Sequence, residues 1–173
     1  MKYMTKRTVV AVLMTVVTIV AQAQMMNPVH FKSELKELKG GEGEIIFSAT
    51  IDSGWHVYST DLGNNGPISA TFNPVKMEGV ETVGKLKARG KEIKQFDKLF
   101  EMELRFFENS VTFVQKVKFT KPEYDIDCYL EYGACNDQSC LPPSTFDFKT
   151  SGKSQVVEIK DEKKGQKEKT VRR

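Results

Sequence analysis

The sequence predicts an all-β fold, an antiparallel sandwich, and three observations predict it. Short segments that alternate apolar and polar residues recur between turn signals, the period-2 mark of strands with one buried face. No long amphipathic helix competes with them. The strands follow one another through turns with no helix between, which argues for a sandwich and against βαβ units. The chain can fill a core: of 173 residues, 39% are hydrophobic and eleven are Phe. At 28% charged residues it is not compositionally disordered.

Residues 1–23 read as a secretory signal. Lys2, Lys6 and Arg7 form a positive start, residues 8–20 (TVVAVLMTVVTIV) are apolar, and Ala21-Gln22-Ala23 gives a small-x-small cleavage site. The mature chain is expected to begin at Gln24. Thirteen residues of helix rise about 20 Å, short of the roughly 30 Å hydrocarbon core of a bilayer. An uncleaved anchor is the alternative. No cysteine stands directly after the cleavage site, so a lipid anchor is not indicated, and no second apolar run exists. Export without membrane insertion after cleavage is the expectation.

The charge count supports this division. The formal net charge is +3, and all of it sits in residues 1–23. The tail 160–173 holds seven basic and three acidic residues and reads as a solvated, disordered extension. The domain between them, residues 24–159, is therefore mildly acidic. Nucleic acid loses its composition argument.

Within that domain, residues 29–38 place Phe31, Leu35 and Leu38 at mixed spacing and stay open between an edge strand and a short helix. Residues 44–51 alternate Ile45, Phe47, Ala49 and Ile51 with more polar neighbours and stop at Asp52-Ser53-Gly54. A strand at 55–59 follows, then a loop at 61–67 (DLGNNGP), then 68–72 with Ile68, Ala70 and Phe72 on one face. Residues 110–119 put Val111, Phe113, Gln115, Val117 and Phe119 on one side. Residues 125–132 do the same with Ile126, Cys128, Leu130 and Tyr132, and 145–149 (TFDFK) close the set.

The three cysteines, Cys128, Cys135 and Cys140, fall within thirteen residues. In an exported chain this points to a disulfide with one thiol left over. Cys128 occupies an inward position of an alternating strand and reads as a small buried apolar residue. Cys135 and Cys140 lie in a turn-rich segment that ends in Pro142-Pro143, which cannot continue a ladder. Such a loop can hold both sulfurs at bonding distance at the surface. The bridge would close a small ring worth about 2 kcal/mol of chain entropy, less than one tying distant strands. That suits exchange better than stabilisation, although spacing alone leaves a bridge that only fixes the loop on equal terms. Zinc is disfavoured, because C-x₆-C-x₄-C with His30 or His56 matches no common ligand spacing. No signature of a Cys/His nucleophile surrounds these residues. No metal or cofactor is expected.

The stretch Tyr132-Gly133-Ala134-Cys135, continuing to Cys140-Leu141-Pro142-Pro143, resembles the active-site loop of a known family, the N-terminal periplasmic domain of the thiol:disulfide interchange protein DsbD. Gly54-Trp55-His56-Val57-Tyr58-Ser59 resembles that family's Gly-aromatic-x-x-Tyr strand. The likeness covers roughly residues 28–150. It implies an immunoglobulin-like sandwich with the cysteine pair in a loop at one end, and a periplasmic location, with secretion as second choice. It further implies a dithiol–disulfide relay between thioredoxin-like donor and acceptor proteins. Cys140 would form the mixed disulfide with partners and Cys135 would resolve it. A Phe-bearing cap is implied at 94–101 (KQFDKLFE), where Phe100 is preferred over Phe96 because it lies just before a strand at 102–107. His56 and Tyr58 match positions lining the cysteines. Simple packing is the alternative for all four. The family's membrane and thioredoxin-like domains have no counterpart in this sequence, so the reductant is expected to be another protein. Cys128 is extra to the usual pair. The competing reading is an exported immunoglobulin-like binding or assembly module with a purely structural disulfide.

Overall fold

Among the described residues, eleven strands, all paired antiparallel, build three sheets. In chain order they are β1 (Val29–Glu37), β2 (Glu42–Ile51), β3 (Trp55–Tyr58), β4 (Thr71–Glu78), β5 (Val80–Arg89), β6 (Ile93–Asp97), β7 (Met102–Phe107), β8 (Ser110–Phe119), β9 (Glu123–Tyr132), β10 (Ala134–Asn136) and β11 (Ser144–Lys153). The first sheet has the order β1-β2-β8-β5, the second β11-β9-β4 and the third β10-β3-β7-β6. The structure is a computed structural model that describes residues 27–154 apart from 64, 98 and 99. The expected signal peptide, the start at Gln24 and the tail 160–173 lie outside the described residues. Among the described residues there is no helix.

The first and second sheets face each other with seven strands between them, the strand count of the smaller immunoglobulin-type sandwich. Phe47 on β2 shows why they hold together. It is fully buried, and its ring meets Phe72 of β4 at 6.4 Å and Phe146 and Phe148 of β11 at 6.3 and 6.2 Å. Burying one such side chain contributes about 1.5–3 kcal/mol. On β8 the face read from sequence is the buried face: Val111, Phe113, Gln115, Val117 and Phe119 are all buried, and Val114 on the other face is buried as well. Across the ladder, Phe47 pairs with Phe113 and Ala49 with Val111, so apolar residues are stacked on the inner face. The segment 29–38, open between helix and strand, holds an edge strand, β1 (Val29–Glu37), paired to β2 along its length.

Several segments depart from expectation for identifiable reasons. The strand expected at 68–72 starts only at Thr71 and runs on to Glu78. Its Pro74 reads as a breaker, yet β4 is an edge strand and its ladder shifts register between Pro74 and Lys76, the settings in which a sheet tolerates proline. Strand β5 was hidden for a related reason. Its ladder with β8 shifts between Val83 and Lys87, and Gly84 sits there at φ +67°, a conformation that favours glycine. The bulge breaks the period-2 pattern. Gln115 serves it, its Nε2 donating to the carbonyls of Val83 and Gly84 at 3.3 and 3.4 Å. The third sheet is also new relative to a plain two-sheet sandwich, and it carries the cysteine pair.

Candidate active site

The pleat of the third sheet sorts its residues onto two faces. Trp55 and Val57 of β3, Ala134 of β10 and Phe107 of β7 pack into the sandwich core. Their neighbours Tyr58, Cys135, Leu104 and Phe106 form a second, smaller apolar cluster on the opposite face, with Phe100, Ile93 and Met102 packed against it. Cross-strand register follows the same division: His56 pairs with Cys135, and Tyr58 with Phe106. One face of the sheet anchors it and the other presents the chemistry.

The chain reaches this face through Gly133, between β9 and β10. A Cβ there would lie 2.8 Å from the Ile68 carbonyl oxygen, so only glycine fits without a shift. After Cys135 the backbone turns sharply. The Asn136 N–H donates to the Ser139 carbonyl at 2.9 Å, and the Asn136 Oδ1 accepts from the N–H groups of Gln138 and Ser139 at 2.9 and 2.8 Å. The Leu141 N–H donates to the Ala134 carbonyl at 2.9 Å. These bonds close a hairpin in which Cys135 and Cys140 stand opposite each other, disulfide-bonded, with Cα atoms 4.0 Å apart.

The two sulfurs were expected together at the surface, and here the structure differs. Cys135 is only 3% exposed, sealed under Tyr58, Leu104 and Phe106, because it belongs to strand β10 and not to a loop. Cys140, past the turn, is exposed. Both line a cleft of about 520 Å³ together with His56, Tyr58 and Phe100. Phe100 packs on the Cys135 cluster, and its N–H donates to the Asp97 Oδ1 at 3.0 Å. Phe96 is not part of the cleft. Gln95 and Asp97 of β6 face it, so the pleat turns Phe96 to the other side, where it is 64% exposed.

His56 is half-buried, with its ring 4.6 Å from Phe106 and 5.2 Å from Tyr58. Burial lowers its pKa, partly opposed by the carboxylates of Glu108 and Asp137. Burial raises the Tyr58 phenol, helped by Asp97. Cys128 lies elsewhere, in the sandwich core between Pro74 and Phe148. It is 1% exposed, and burial pushes its thiol up to about 12. Leu104, Phe106 and the three carboxylates of the cleft, Asp97, Glu108 and Asp137, were not singled out from sequence. Alternation of Leu104 and Phe106 within residues 102–107 was the available signal for the first two. The carboxylates carry none.

The sequence matches the family described as thiol:disulfide interchange protein DsbD, N-terminal, over residues 22–152. The chain belongs to that family. Among solved structures it is similar to the N-terminal periplasmic domain of ScsB from Proteus mirabilis, with a TM-score of 0.50 and 12% identity, over 75% of this chain and 48% of that one. That likeness bears on the fold, and the chain spans about half the length of that structure. The Neisseria meningitidis DsbD N-terminal domain in its reduced form is also similar, with a TM-score of 0.43 and 17% identity over 72% of this chain and 86% of that one. No curated protein matches the sequence. The family is that of the N-terminal domain of a thiol:disulfide interchange protein, which does not favour a binding module with a merely structural bridge.

Proposed function

We propose that this protein is exported to the periplasm, where it relays electrons between thioredoxin-like proteins by cycling Cys135 and Cys140 between dithiol and disulfide. The observation that carries the reading is the unequal burial of the two sulfurs. In exchange, a partner thiolate attacks the accessible sulfur of the bond, and the other sulfur leaves. Cys140 is the exposed one, so it takes the mixed disulfide; Cys135, beneath the aromatic cluster, leaves and later resolves it. The hairpin supports this too. Its hydrogen bonds through Asn136 and Leu141 close the turn without help from the sulfurs, so the bridge is free to open.

Each half-reaction balances. A reduced donor thiolate attacks Cys140 and releases the Cys135 thiolate; a second donor thiol then displaces Cys140, leaving the dithiol here and a disulfide on the donor. With an oxidised acceptor the same steps run in reverse. Phe100 packs on the cluster around Cys135, and His56 and Tyr58 line the approach.

The test is a trap. Cys135→Ala leaves Cys140 without its resolving partner, so incubation with periplasmic extract should accumulate a reductant-sensitive adduct with a thioredoxin-fold protein. Cys140→Ala should accumulate none. If the Cys135→Ala protein gathers no such adduct, the relay reading fails.

A further inference from the structure

Taking the exchange reading as its basis, we infer that His56 accepts the proton of the Cys135 thiol when Cys135 resolves a mixed disulfide on Cys140. Three observations on the third sheet converge on this pair. His56 and Cys135 are direct cross-strand partners, so both side chains leave the same face with Cβ atoms about 4.5–5.5 Å apart. Both line the cleft that contains Cys140. The His56 ring packs against Phe106 and Tyr58, with centroids 4.6 and 5.2 Å away, which limits where the imidazole can turn.

The chemistry requires such a group. Cys135 must become a thiolate to attack, yet it lies in an apolar cluster at 3% exposure. Apolar surroundings with little water disfavour a thiolate, so a base beside Cys135 is needed to take the proton as the thiolate attacks. The neutral imidazole takes the proton, the thiolate attacks the Cys140 sulfur, and the partner leaves as its own thiolate. The imidazolium then returns its proton to solvent. In the opposite direction the imidazolium protonates Cys135 as it leaves.

The charged and titratable groups around His56 suit both directions. Tyr58 is on its own strand; Cys135 and Asp137 come from β10 and its hairpin, Glu108 follows β7, and Asp97 ends β6. Burial keeps the resting imidazole neutral, ready to accept, while Glu108 and Asp137 favour the imidazolium that forms. Tyr58 does not fill the role: it pairs across with Phe106, not with a cysteine, and its phenol is raised.

The experiment uses the fully reduced protein and the aromatic disulfide 5,5′-dithiobis(2-nitrobenzoate) in stopped flow. The first coloured thiolate released reports attack by Cys140, and the second reports resolution by Cys135. In the wild type the second phase should quicken with pH through an inflection below the ordinary histidine value and then level off. His56→Gln should leave the first phase intact, slow the second on the order of a hundredfold at neutral pH, and erase that inflection. In His56→Ala, added imidazole should speed the second phase alone. A second phase in His56→Gln with unchanged rate and pH profile, or no rescue by imidazole, overturns the inference. A wild-type protein that never releases the second thiolate overturns the exchange reading beneath it.

Discussion

Three cysteines in one small domain have three different surroundings, and their reactivity should follow. Cys140 is open to solvent, Cys135 lies under Tyr58 and Phe106, and Cys128 is enclosed in the sandwich core; the reduced protein is expected to keep this order. Iodoacetamide should therefore modify Cys140 first, Cys135 far more slowly, and Cys128 only on unfolding, as mass spectrometry of timed samples will show. Early labelling at Cys128 would contradict its placement. His56 makes a separate prediction about acid. Its folded pKa lies below the value of about 6.5 it recovers when unfolded. The unfolded chain thus binds more protons in the window below that value, and stability contributed by the neutral ring falls as pH drops through it. Denaturation curves from about pH 7 to about pH 5 should show the loss, and His56→Gln should reduce it. An equal loss in the variant would place the acid sensitivity elsewhere.

At the scale of strands, what was legible in the sequence depended on whether the ladder ran regularly. Strand β9 alternates without interruption and β8 with one exception, the additionally buried Val114, so the buried residues read from the sequence, Cys128 included, are buried in the structure. Strand β5 stayed hidden because the bulge at Gly84 puts its apolar residues out of phase. Strand β4 runs past Pro74, which a sheet tolerates at an edge, and that edge position depends on pairing with β9, which no local pattern shows. The cysteine pair was legible through its spacing and the following prolines. The unequal burial of the pair was not, since it depends on β10 pairing with β3, a contact between residues far apart in sequence. The same pleat puts Phe96 outside the cleft: with Gln95 and Asp97 facing it, Phe96 points away. Gly133 is the hinge of this arrangement. Gly133→Ala drives a methyl against the Ile68 carbonyl and should cost about 1–3 kcal/mol in urea unfolding. It should also increase the labelling of Cys135. A variant as stable as the wild type would show that β10 can move aside freely.

The molecule as a whole divides its labour: two facing sheets supply a rigid body, and the third sheet borrows one face from it to hold the cysteines. Phe47 belongs to the body alone. Phe47→Ala should lower stability by about 3–5 kcal/mol while leaving the redox behaviour of the pair unaltered in whatever fraction remains folded. The pair, in turn, should contribute little to the body. It spans five positions of sequence within a hairpin already closed by hydrogen bonds, so oxidised and reduced forms should differ in unfolding free energy by about 2 kcal/mol or less. A bond the fold does not depend on is one it can give up. The reduction potential of Cys135–Cys140, read by equilibrating the protein in dithiothreitol and glutathione buffers and mapping thiols by mass spectrometry, tests this most directly. An exchanging pair should be reduced at a potential clearly above about −300 mV, and a value below that, typical of structural disulfides, would contradict the account.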